Sequence, residues 1–301
     1  MSDDVYDLLD RAYESDDVDE IAALTERALE LDPDNPEALL MKADLIEDDD
    51  EGRLLILERA LAEARRYFEE QGLVGDAILN DDSAFVYFAI LQRAAYVRFI
   101  IEDDDGAMEL LEELLPFDAD DQMLSKTLYY RILLERGEWA AVLEDTMKQT
   151  ARSLGWAYSK IIATYMLSAQ GKGGKMSDIA QINKMLWDAI EMSPDVPFYM
   201  LGYFPDPVDD TEEEETAFDF GLLFEGIWTV SRDMLNWFSK SVILFGLLTG
   251  RFADEQDDMM EILDALGGAE DYKELSGALG HADDDKAVLR AISSGRYPKA
   301  R

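Results

Sequence analysis

The sequence predicts an all-α protein arranged as an irregular solenoid of helical hairpins, with shorter capping helices at its C-terminal end. Three observations lead there. The run from Ile21 to Leu31 reads as an amphipathic helix that stops at Asp32-Pro33, and a new apolar period opens at Pro36-Glu37-Ala38-Leu39-Leu40. The same helical period returns along the whole chain, with glycine, proline and carboxylate clusters between its segments. No stretch shows sustained strand-like alternation, and the prolines fall between helices rather than within them.

In order, Leu8, Leu9, Ala12 and Tyr13 mark a first helix and residues 18–31 a second. A second hairpin spans 37–46 and 52–71, divided by the carboxylates of 47–51. The glycines of 72–83 and Asn80-Asp81-Asp82 predict a loop and a mild boundary. Phe85, Tyr87, Phe88, Leu91, Ala95, Tyr96 and Phe99 belong to one long helix that ends at Asp103-Asp104-Asp105-Gly106, and 107–115 is its partner. Residues 123–135 and 139–150 form the next pair around Gly137, followed by 158–169 and 179–192 around Gly171-Lys172-Gly173-Gly174-Lys175. Pro194, Pro197, Pro205 and Pro207 then break the pattern. Thr211 with Glu214 is a capping box opening a helix to about Val230, 234–248 follows, and short helices near 259–266, 272–279 and 286–292 cap the end. The expected division is 1–71, a loop at 72–83, an aromatic-rich array over 84–250, and a C-terminal cap over 251–301, with one continuous domain as the alternative.

The segment Ile21 to Pro36 resembles the second helix of a tetratricopeptide repeat and the start of the next: Ala28 and Pro33 stand where that consensus puts its small residue and closing proline. Gly137-Glu138-Trp139 resembles the Gly-x-Tyr turn between the helices of such a unit. A second resemblance covers residues 96–248, about half the chain. Ala189-Ile190-Glu191-Met192-Ser193-Pro194-Asp195-Val196-Pro197-Phe198-Tyr199-Met200-Leu201 is similar to a signature of the suppressor of tumorigenicity 7 domain family. That family's animal members look membrane-associated through extra segments this chain lacks. The likeness implies helical repeats and supplies no catalytic residues.

Composition narrows the function classes. With 48% hydrophobic residues among 301, the chain can bury a sizeable core. A net charge of −40, from 67 acidic and 27 basic residues, repels nucleic-acid phosphates and anionic lipid, so a basic or neutral partner is expected. The acidity equally suits solubility or water retention at high salt. Zero cysteines remove disulfides, thiolate metal sites and cysteine nucleophiles. The start at Met1 has neither a basic nor an apolar leader region, and the apolar run 241–250 is far shorter than the ~20 residues of a spanning helix. A cytoplasmic location is the expectation.

Motifs for chemistry are sparse, and each has a plainer reading. Glu47, Asp49, Glu51, Gly52 and Glu58 approach the spacing of a calcium-binding helix-loop-helix, but the first position is normally aspartate and Arg53 adds a cation. A solvated turn is the plainer account. Asp103, Asp104 and Asp105 fit an acidic helix start. The 171–175 glycine-lysine loop lacks the first glycine and the serine or threonine of a phosphate loop. His281 is the single histidine, so a two-histidine metal site is excluded. No catalytic residue and no cofactor are expected.

The remaining candidate is a concave face lined by the first helices of the hairpins. Lys42, Arg93, Lys126, Arg131 and Lys160, with Tyr87 and Tyr130 among the interleaved tyrosines, would hold a peptide or protein there, the cations as forks on an acidic segment. The plainer account puts these tyrosines in the core and pairs the cations with neighbouring acids. The leading expectation is a non-catalytic binding scaffold. Its rivals are an enzyme or ligand sensor with a pocket between the long aromatic helices, and a self-associating structural protein, a homo-oligomer.

Overall fold

The structure, a computed structural model, describes residues 4–46, 48–149, 152–172, 178–209, 211–279, 284–295 and 297–298. Among the described residues every regular element is a helix, and no helix is long and apolar enough to cross a membrane. The chain forms two compact units, Met1–Ile132 and Leu133–Arg301. Their boundary falls inside one helix, not in the expected loop at 72–83.

The first unit contains α1 (Val5–Tyr13), α2 (Val18–Leu31), α3 (Pro36–Asp44), α4 (Asp50–Gln71), α5 (Ala84–Ile100) and α6 (Asp104–Leu114). α2 packs on α1 and α3, α4 on α3 and α5, and α6 on α5, while α3 also touches α5. Carboxylates start these helices. Asp4, Asp17, Asp49 and Asp103 each accept a first-turn N–H, and Asn35 does the same for α3. A cap of this kind stabilises by about 1 kcal/mol. Apolar stripes close the centre: Leu8, Leu9 and Ala12 meet Leu24 and Ala28 of α2 and Ala38 and Met41 of α3. Ala28 is fully buried, its short side chain leaving room between α1 and α3.

α4 ends at Gly72, whose φ of +67° places it in the left-handed region, with the Leu73 N–H donating to Phe68 O at 2.9 Å. The segment expected to be a loop, 72–83, instead holds a 3-10 helix at Gly75–Asn80, because Ile78 is drawn into the core. After α6 the chain turns through Leu115–Phe117, where Phe117 stacks on Phe88 at 4.7 Å. α7 (Ser125–Glu135) starts on two buried carboxylates. Asp118 accepts from Ser125 Oγ at 2.7 Å, and Asp121 from the Lys126 N–H at 2.9 Å.

The second unit holds α8 (Trp139–Lys148), α9 (Leu154–Ala169), α10 (Ile179–Met192), α11 (Val196–Met200), α12 (Glu212–Phe224), α13 (Arg232–Thr249), α14 (Gln256–Ala265), α15 (Ala269–Leu279) and α16 (Asp285–Gly295). α9 packs on α8 and α10, α11 on α12, and α13 on α14, α15 and α16. Two sequence expectations are corrected here. Pro197 does not interrupt a helix but sits in the first turn of α11, where no N–H is required. The helix expected to reach Val230 stops at Phe224. Gly226, at φ +79°, redirects the chain so that Ile227 and Trp228 enter the core from a 3-10 turn.

Candidate functional site

Helices α1, α3 and α5 border a recess of about 420 Å³ whose wall includes Tyr13, Leu40, Met41, Asp44, Ala89 and Arg93. A second recess, about 750 Å³, lies at the starts of α3 and α5 and the end of α4, with Tyr6, Glu37, Tyr67 and Asp82 in its wall. Phe85 lines both. The lining follows from helical spacing. Tyr6 and Tyr13 are seven apart on α1; Glu37, Leu40 and Asp44 share a face of α3; Phe85, Ala89 and Arg93 share a face of α5. Tyr6, Tyr13, Glu37 and Phe85 lie off the core stripes of their helices, while Leu40 and Met41 are buried core residues that also line the smaller recess.

Four aromatic side chains remain open there, Tyr67 at 38% the least so. Tyr6 is 69% exposed, Tyr13 60% and Phe85 72%. Tyr13 is also electrostatically loaded: partial burial, then the charge of Glu37 and a hydrogen bond to it, push its phenol up from 10.0 to about 12. Carboxylates surround the larger recess. Asp34 pairs with Arg59 at 2.6 Å, Glu63 pairs with Arg66, and Asp81 accepts from Tyr67 Oη at 3.2 Å and from the Ser83 N–H at 2.9 Å. Glu37, Glu70 and Asp82 also line it and have no cationic partner among the described residues. In the smaller recess Asp44 bridges Arg53 and Arg93, each at 3.2 Å.

Of the side chains the sequence singled out, Arg93 lines the smaller recess and the others line neither of these two. Lys42 turns to α2 and donates to Glu26 at 2.7 Å. Tyr87 is corrected to a core position: it is 5% exposed and donates through its hydroxyl to Glu113, which also receives Arg65. Tyr130 is likewise corrected, being fully buried, because the apolar stripe of α7 passes through it. Arg131 is buried with its guanidinium 5.6 Å from the Phe99 ring centre, and Lys126 lies 5.2 Å from the rings of Tyr129 and Tyr130. In the second unit Lys160 stands 4.5 Å and Arg152 5.4 Å from the Trp156 ring centre; partial burial, then Arg152, lowers the Lys160 ammonium.

Two of the calcium candidates are engaged otherwise. Asp49 caps α4 by accepting the Gly52 N–H at 2.9 Å, Glu58 receives Arg98 at 2.5 Å, and Glu51 is an exposed first-turn residue. Glu47, His281 and most of the 171–175 loop lie outside the described residues. Among the described residues no group of acidic or histidine side chains is arranged to hold a metal ion. The side chains that do converge, Tyr6, Tyr13, Glu37 and Phe85, were missed because they fall between the core positions; the shared face within each helix was the available signal.

The chain matches no family model, no curated protein and no solved structure.

Proposed function

We propose that this chain is a non-catalytic interaction module of tetratricopeptide-like helical hairpins that holds a peptide or protein segment along the α1, α3 and α5 face. One observation carries the reading: Tyr6, Tyr13 and Phe85 are each at least 60% open to solvent around adjoining recesses, whereas Phe68, Tyr87, Phe88 and Tyr130 of the same unit are buried. An exposed aromatic cluster in a concave site is a ready anchor for a partner, since rings bury large area at small cost in side-chain entropy. Each helix of the face packs on a neighbour behind it, α1 on α2, α3 on α4 and α5 on α6, which supports the face from the core side.

The test fills the recess. Ala89→Trp places an indole in the smaller recess without changing charge. The full chain and this variant are compared in affinity capture from the native cell, with matched thermal melts as the folding check. Partners that disappear with the variant support the reading. A partner set retained in full by a folded Ala89→Trp protein sinks it.

A further inference from the structure

We infer that the segment taken by this face is cationic: a peptide carrying lysine or arginine seats its charged head among Glu37, Glu70 and Asp82, and its aliphatic stem against Phe85 and Tyr6. This inference rests on the groove reading above and adds the chemistry of the partner.

The observations come from one place in the fold. The larger recess, about 750 Å³, is large enough for several side chains. Its wall combines exposed rings, Tyr6 and Phe85, with carboxylates that no cation of the described residues neutralises. A lysine or arginine satisfies both features at once. Its head pairs with carboxylate oxygens, its methylene stem covers apolar surface, and its charge is attracted to a ring face within about 6 Å. An acidic segment would meet like charge on three sides. A purely apolar one would leave the carboxylates partly desolvated without partners. The arginines near the site do not reverse this sign, for Arg59, Arg66 and Arg93 each already serve a carboxylate: Asp34, Glu63 and Asp44.

The neighbouring recess continues the same chemistry. Phe85 lines both recesses, and Tyr13 of the smaller one hydrogen-bonds to Glu37 of the larger. Leu40, Met41 and Ala89 then offer an apolar floor. The fitting segment therefore carries an apolar side chain near its lysine or arginine.

Selection of a displayed random-sequence peptide library on the full chain at about 0.15 M salt, where the Debye length is about 8 Å, is the test. The expected result is enrichment of lysine or arginine next to apolar residues. Binding of the selected peptide should weaken roughly tenfold in a Tyr6→Ala/Phe85→Ala protein and comparably in Glu37→Gln/Glu70→Gln/Asp82→Asn. Both ring positions are exposed, so thermal melts should be unchanged. A protein with Glu212→Gln, Glu213→Gln and Glu215→Gln loses equal charge on exposed α12 positions and should bind within about twofold of the parent. Equal weakening by that control would show diffuse attraction to an acidic chain and overturn the inference. Enrichment of acidic or neutral peptides that the ring variant still weakens would overturn the charge and leave the groove standing. No enrichment at all would overturn both.

Discussion

The second unit closes its core with aromatic side chains, whereas the first buries Phe68, Tyr87, Phe88 and Tyr130 but leaves three rings open on its α1, α3 and α5 face. In the second, Trp187, Phe198, Phe220, Phe224, Trp228, Phe238 and Phe245 are all at most 1% exposed. Trp228 stacks on Phe238 at 3.8 Å, Phe220 on Phe224 at 5.0 Å, and Phe198 on Phe204 at 4.8 Å. Even its C-terminal residues are drawn in: Trp187 Nε1 donates to Tyr297 O at 2.9 Å and Asn183 Nδ2 to Pro298 O at 3.0 Å. The first unit builds its described α1 to α3 core from leucine, alanine and methionine and leaves Tyr6, Tyr13 and Phe85 outside. A ring in the second unit is therefore a structural member, while a ring on the α1, α3 and α5 face contributes little to folding and is free to contribute to binding.

The largest expected effect separates the two uses. Phe238→Ala removes a ring stacked inside the second core and should lower unfolding free energy by about 3–5 kcal/mol. Phe85→Ala should stay within about 0.5 kcal/mol of the parent. Denaturant titrations of both variants check this, and equal losses would erase the contrast. Next is Gly246→Ala on α13. A methyl there meets the rings of Phe252 and Phe198, so the unit should lose about 1–3 kcal/mol, read as a lower melting temperature. An unchanged melt would show that those rings yield.

A smaller effect of opposite sign is expected at Tyr158. It is fully buried, its hydroxyl has no hydrogen-bond partner, and burial pushes its phenol far up. Tyr158→Phe should therefore stabilise by about 1 kcal/mol. A loss instead would reveal a bound water or ligand on that hydroxyl. The mildest change is an alkaline one. Burial, then a hydrogen bond to Glu113, raises the Tyr87 phenol to about 12. The folded phenol thus keeps its proton while the unfolded one, near 10, releases it. The associated stability is complete below about pH 10 and is lost as pH rises toward 12. Urea midpoints across that interval should fall less steeply in Tyr87→Phe, and identical slopes would contradict the assignment.

Much of the first unit was legible residue by residue. Asp17 before Val18, Asn35 before Pro36 and the glycine at 72 mark helix ends through local backbone chemistry, and all three act there in the structure. What escaped was decided at a distance. The chain leaves the helical path at Gly226 because Trp228 has Phe238 to reach, and Ile78 folds the expected loop at 72–83 into a 3-10 helix by entering the core. Site residues were harder still. Tyr87 and Phe85 are two positions apart on one helix, both aromatic; helical spacing puts them on different faces, but only the packing of neighbouring helices decides which face is covered.

The sequence by itself determined the helical class, most helix ends and the acidic surface, because helical period, capping side chains and charge act over a few neighbouring residues. Tertiary structure alone decided which rings are core and which line a recess, because that choice depends on which face of each helix its neighbours cover. It also decided that the exposed face is acidic rather than basic: Lys42 is drawn to Glu26 and Tyr130 into the core, while Glu37, Glu70 and Asp82 converge from three separate segments.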